Sequence, residues 1–184
     1  GTDQNGCSAV ISSNVIVNPS PNLSFNLPSS SAICYGSSLS IEVFGANSYT
    51  WSPANGLDNI NSSIVQASPL SSTTYTVLGT DLNNCSDSLE FELIVGVSPI
   101  VSINPSNPVI CEGESITLLA DGASNYQWFP DTDLSSSVGS SVVSNTTSTR
   151  VYYVIGTDIL NCVDTSEVVV SVIPLPTADI ISGG

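Results

Sequence analysis

T-Y-T-V-L-G-T-D-L-N-N-C (Thr74–Cys85) and V-Y-Y-V-I-G-T-D-I-L-N-C (Val151–Cys162) are one pattern written twice, 77 residues apart. The first opens with alternation, Tyr75 and Val77 against Thr74 and Thr76, the period of a strand with one buried face and one wet face. Both run on into Gly, Asp and Asn, which form turns because their side chains bond nearby backbone or because they accept positive φ. A cysteine closes each. The turn occurs a third time as G-T-D-Q-N-G-C, Gly1–Cys7.

Outward from this pattern, residues 33–103 align with 110–180 without a gap, about a third of the positions being identical. I-C-Y-G at Ile33 matches I-C-E-G at Ile110, and G-A-N-S-Y-T-W-S-P at Gly45 matches G-A-S-N-Y-Q-W-F-P at Gly122. The chain therefore reads as a window on a longer tandem array. Residues 1–20 are expected to end one repeat, 21–98 and 99–175 to be full repeats, and 176–184 to begin another. With no signal peptide and no initiator methionine, a mature product or an excised fragment is expected.

Within a repeat, S-L-S-I-E-V (Ser38–Val43) and S-L-E-F-E-L-I-V (Ser88–Val95) also alternate, and helical spacing with caps is absent. Six or seven short strands between Gly, Pro and Asn turns predict an all-β fold. Its expected form is tandem immunoglobulin-like β-sandwich repeats of about 77 residues arranged end to end. Trp51, Trp128, Tyr75 and Tyr152 are the candidate core aromatics, a sugar-stacking platform being the alternative for the two tryptophans. Prolines at the junctions, among them Pro19, Pro21, Pro99 and Pro174, keep the linkers short and stiff.

The 184 residues include sixteen acids and one base, Arg150, for a net charge of -15. That balance excludes nucleic acid as a partner, since phosphate binding needs clustered Lys and Arg. No apolar run approaches the roughly 18 residues of a membrane span, so no membrane insertion is expected. Without histidine, Ser-His-Asp and Cys-His catalysis are impossible. The neighbouring carboxylates Glu90 and Glu92 share the solvent face of one strand, and the chain is read as no enzyme.

Five cysteines with no C-x-x-C pair and no histidine point to disulfides in an oxidising compartment rather than zinc. Cys34, Cys85, Cys111 and Cys162 are the candidates, and Cys7 has its partner outside the chain or is unpaired. Cys34–Cys85 and Cys111–Cys162 have equal spacing, which invites pairing within a repeat. An immunoglobulin-like order would separate such a pair by roughly 20 Å, against a limit of about 7 Å between bridged Cα atoms. Loss of one strand between Trp51 and Ser63 would bring them together. Otherwise the front cysteine of one repeat meets the turn cysteine of the next, as Cys34–Cys162, and both pairings stay open. The oxygens of Asp81, Asn83 and Asp87, or of Asp158, Asn161 and Asp164, offer calcium as a minor alternative. No glycine-centred loop with a closing Glu accompanies them, so no cofactor is expected.

Together, C-x-G, Y-x-W-x-P followed by G-L (Gly56–Leu57), T-T-Y-T-V, G-T-D-x-N-x-C and V-x-P-x-P resemble the Ig-like/PKD-like tandem repeats of Bacteroidetes surface adhesins exported by type IX secretion, including SprB-like gliding adhesins. The second repeat has Asp133 where the first has Gly56, and the W-x-F-G-D-G signature of many PKD domains is missing. The resemblance implies a cell-surface, extracellular stalk or spacer serving adhesion or gliding. It also implies O-glycosylation at Asp-Ser/Thr-aliphatic triplets, and Asp87–Leu89 supplies one with Ser88 as acceptor. Neighbouring repeats, lateral self-assembly and an extracellular surface or glycan are the expected partners. The alternative function is a glycan- or surface-binding module working through the loop ends of the repeats.

Overall fold

The computed structural model describes residues 1–176; the stretch 177–184, expected to open a further repeat, lies outside the described residues. The alternating segments become strands wherever one face can be buried. In the first repeat these are β1 (Ser24–Phe25), β2 (Ser30–Cys34), β3 (Leu39–Phe44), β4 (Ser48–Ser52), β5 (Ile64–Ala67), β6 (Thr73–Thr80) and β7 (Ser86–Gly96). The second repeats the series as β8 (Ser102–Asn104), β9 (Val109–Cys111), β10 (Ile116–Asp121), β11 (Asn125–Phe129), β12 (Ser141–Ser144), β13 (Arg150–Thr157) and β14 (Val163–Ile173).

Each repeat pairs a three-stranded sheet with a four-stranded one, in the orders β1-β3-β5 with β2-β7-β6-β4, and β8-β10-β12 with β9-β14-β13-β11. The fold is an immunoglobulin-like sandwich, all-β as the alternation predicts. One short strand in each four-stranded sheet runs parallel to its neighbour: β2 on β7, with Cys34 opposite Gly96, and β9 on β14, with Cys111 opposite Ile173.

Trp51, Trp128, Tyr75 and Tyr152 are all buried between the sheets. Their polar atoms are satisfied locally, as burial demands. Trp51 Nε1 donates to the Ser62 carbonyl and Trp128 Nε1 to the Gly139 carbonyl, both at 2.9 Å. The Tyr75 hydroxyl donates to the Asn55 carbonyl at 2.7 Å and the Tyr152 hydroxyl to the Thr132 carbonyl at 3.3 Å. Phe25 stacks on Trp51 with ring centroids 6.0 Å apart and meets Phe91 edge-on at 5.2 Å. Each such ring removed from water contributes roughly 1.5–3 kcal/mol, so the tryptophans serve the core and offer no sugar platform.

Gly45 and Gly122 explain the G-A-x-x-Y match. Both have φ above +100°, and a Cβ at either would collide with a backbone carbonyl oxygen, of Asn22 or of Ile100. Asp133, which replaces Gly56, keeps the same left-handed backbone (φ 65° against 75°), and its carboxylate meets Arg150 at 3.1 Å. Aspartate is among the few residues that tolerate this region, so the loop survives the substitution.

Contacts divide the chain into two compact units whose boundary does not follow the repeats. One holds Gly1–Ser29, Ser40–Ala67 and Thr74–Phe91. The other takes Ser30–Leu39 and Ser68–Thr73 together with the chain from Glu92 onward, so β2 and the end of β7 belong to the same unit as the whole second sandwich.

Candidate functional site

The Gly-Thr-Asp…Cys turn has the same internal geometry in all three copies. Oδ1 of the aspartate accepts two backbone N–H groups, that of the residue two positions on and that of the cysteine. The distances are 2.8 and 2.8 Å at Asp81 and at Asp158, and 2.9 and 2.8 Å at Asp3. The aspartate N–H in turn donates to the cysteine carbonyl, at 2.8–2.9 Å. The residue before the cysteine is left-handed in each copy: Asn84 (φ 60°), Asn161 (φ 64°) and Gly6 (φ 81°). That is why Asn or Gly stands there. The spacing G-T-D-x-N-x-C therefore marks the wrong asparagine, because Asn161 holds the position before the cysteine and Leu160 fills the one before that.

One oxygen of each turn aspartate is thus committed to organising backbone. Asp164, grouped by sequence with Asp158 and Asn161, accepts the Val101 N–H at 2.9 Å through Oδ2. Asp87 Oδ1 accepts the N–H of Ser88, and Ser88 itself is exposed. Among the described residues, no three acidic, cysteine or histidine side chains come together in a set that could hold a metal ion.

The turn presents its cysteine, and the structure bonds Cys162 to Cys34, 128 residues away in sequence, with Cα atoms 5.5 Å apart. The parallel strand β2 explains the pairing. It places Cys34 beside Gly96, at the far end of the 11-residue β7 from Cys85, a separation of about 35 Å along an extended strand. Cys34–Cys85 pairing therefore fails by a wide margin. Cys34 closes β2 at the end of the sandwich where β7 finishes, and the G-T-D turn lies at the end where β7 starts. Cys111–Cys162 pairing fails for the same reason on β14. Cys7 and Cys111 are exposed free thiols, and Cys85 is a half-buried one.

Gly96 completes the joint. It is buried, and a Cβ there would lie 2.8 Å from Leu160 Cδ1 and 3.1 Å from Cys162 Sγ. The absence of a side chain at Gly96 is what admits the Leu160–Cys162 turn. Neither Gly96 nor Leu160 stood out by sequence motif. The signal was the break in the repeat, with Gly96 aligned to Ile173 and Leu160 aligned to Asn83.

A second feature is an open depression of about 420 Å³ in the second repeat, lined by Asn125, Tyr126, Gln127, Gly139 and Thr157 among others. The Tyr126 hydroxyl is bound on both sides to Ala123, accepting from its N–H and donating to its carbonyl at 2.8 Å. Glu90 and Glu92 are both exposed on β7, and Glu92 accepts a hydrogen bond from Ser30 Oγ at 3.2 Å.

No protein-family model matches the chain. No curated protein matches it either. Among solved structures, it is similar to the three N-terminal domains of the bacteriophage RB49 highly immunogenic outer capsid protein (Hoc). The TM-score is 0.51 at 10% identity, over 84% of this chain and 70% of that one. It is also similar to the C-terminal 282-residue fragment of intimin, solved in complex with the intimin-binding domain of the translocated intimin receptor. There the TM-score is 0.54 at 11% identity, over 82% of this chain and 64% of the fragment. At such identity the likeness is one of fold.

Proposed function

We propose that this chain is a non-catalytic structural segment of an extracellular adhesin or surface filament, a stalk or spacer that holds an adhesive element away from the cell. The observation that carries the reading is the Cys34–Cys162 bond, a covalent tie between the front of one repeat and the closing turn of the next. Such a tie suits a chain under load in an oxidising environment, because force applied at the ends bypasses everything the bridge encloses. The absence of histidine, the single basic residue and the burial of Trp51, Trp128, Tyr75 and Tyr152 in the cores support a structural rather than catalytic role. The type IX-secreted gliding adhesins are the family in which we place it, on the shared motifs, with neighbouring repeats as its first partners and Ser88 as a candidate O-glycosylation site.

The test is mechanical. Stretched by its ends, the oxidised chain lengthens only outside the bridge, and reduction frees the 128 residues within it. At no more than about 3.6 Å per residue, the released length is about 460 Å. Equal extension of the oxidised and reduced chains contradicts the reading.

The depression beside Tyr126 favours a second reading, glycan or surface binding through loop ends. Glycan capture that is lost on Gln127→Ala and Asn125→Ala supports it; no capture from a broad glycan array removes it.

A further inference from the structure

We propose that the outer face of the four-stranded sheet of the second repeat pairs with the same face of a second copy of this chain. Period two divides the residues of that sheet. Trp128, Tyr152, Val154, Val168, Val170 and Ile110 point into the core, so the alternate residues of β11, β13, β14 and β9 point out. The outward set is apolar. Phe129, Val151, Tyr153, Val169, Val109 and Ile173 are each 36–60% exposed. The cross-strand register puts Phe129 beside Tyr153 and Val151 beside Val169.

The first repeat supplies an internal comparison. At the aligned positions it carries Ser52, Thr74, Thr76, Glu92, Ala32 and Gly96. The inward positions stay large and apolar in both repeats, with Trp51, Tyr75, Val77, Phe91 and Leu93 matching Trp128, Tyr152, Val154, Val168 and Val170. The sandwich thus accepts a polar or small residue at all six outward places, and the apolar set of the second repeat is not a requirement of the fold.

Area and charge both select a second copy. Scaled by exposure, aromatic side chains of about 150–250 Å² and smaller aliphatic ones leave roughly 400–500 Å² of apolar surface on this face. One side of a standard interface buries about 800 Å², a little over half of it apolar, or about 450 Å². Among the described residues, Glu167 is the single charged side chain at the outward positions of these four strands, in a chain of net charge -15. A basic partner finds almost nothing to neutralise here, whereas a second copy meets the least like-charge repulsion. The register is also self-complementary, since Tyr153 pairs with Glu167 and Val151 with Val169 across β13 and β14. A two-fold axis running along the strands between β13 and β14 lays Tyr153 of each copy over the partner's Glu167, hydroxyl donor against carboxylate. The same axis lays Val151 over the partner's Val169.

The test is the mass of the intact, oxidised chain by sedimentation equilibrium, its free thiols capped with methylthio groups so that no disulfide forms between copies. Over roughly 1 to 300 µM the mass is expected to climb from 19.0 kDa toward twice that value. Val169→Glu and Tyr153→Thr install what the first repeat already carries on the same frame, Glu92 and Thr76, so both variants are expected to fold. Val169→Glu should weaken association at least about 30-fold, because it sets an unpaired carboxylate against the partner's Val151, and Tyr153→Thr about tenfold. Thr76→Glu, on the same face of the first repeat, should leave association unchanged. A chain that stays monomeric throughout the range overturns the inference and leaves the face to a different protein or to residues 177–184. Undiminished association of Val169→Glu overturns it too, as does an equal loss in Thr76→Glu. The Cys34–Cys162 bridge takes no part in this pairing, so a monomeric chain leaves the structural reading standing.

Discussion

Replacing Cys34 with serine isolates what the bridge contributes. Cys34 is only half-buried at the end of β2, so serine fits, and Cys162 keeps its thiol in its buried position. What disappears is the closure of a loop of 128 residues. In the chain-entropy treatment, closing a loop of that length restrains the unfolded ensemble by about 5 kcal/mol. With a urea slope of roughly 2 kcal/mol per M, the unfolding midpoint of Cys34→Ser falls by about 2.5 M relative to the oxidised parent. The assay is urea denaturation followed by tryptophan fluorescence, since Trp51 and Trp128 lie in separate cores and both report. Reduction of the parent should reproduce the variant's curve. A midpoint shift below about 0.5 M refutes the reasoning, because a bridge of this span cannot leave the unfolded chain unrestrained.

Asp158→Ala removes the acceptor of two backbone N–H groups and is expected to cost about 1.5–3 kcal/mol by urea denaturation, with Asp158→Asn losing less. Gly122→Ala drives a Cβ into the Ile100 carbonyl from a positive φ, so it should lose at least about 2 kcal/mol or fail to fold; Gly45→Ala should do the same in the first repeat. Burial holds the Tyr75 hydroxyl above its ordinary pKa of 10.0. The stabilisation tied to its neutral form is complete below pH 10 and is lost as pH climbs from there through the raised folded value, because the unfolded chain gives up its proton first. Denaturation midpoints measured from pH 8 to 12 should fall only above 10, and Tyr75→Phe should flatten that fall.

The sandwich was legible because its long strands alternate. Leu93, Phe91, Tyr75 and Val77 fall on buried faces as period two requires, and the tryptophans match across the repeat. The short parallel strands were not legible. S-S-A-I-C and V-I-C each bury a single isoleucine, Ile33 or Ile110, too little for any periodicity to register. Yet β2 decides the chemistry of the site, since it sets Cys34 beside Gly96. Reasoning from strand parity placed the two cysteines of a repeat at opposite ends but left both pairings open, because loss of one strand between Trp51 and Ser63 would have reversed the parity. The turn was legible in outline from Gly, Asp and Asn. Its decisive feature, a left-handed residue just before the cysteine, needed the dihedral angles of Asn84 and Asn161.

The central claim, a structural chain tied from the front of one repeat to the closing turn of the next, meets its most direct test in a non-reducing peptide map of the dilute, oxidised protein after alkylation of free thiols. The expected map has one bridged peptide pair, Cys34–Cys162, with Cys7, Cys85 and Cys111 alkylated. A map showing Cys34–Cys85 or Cys111–Cys162 contradicts the account.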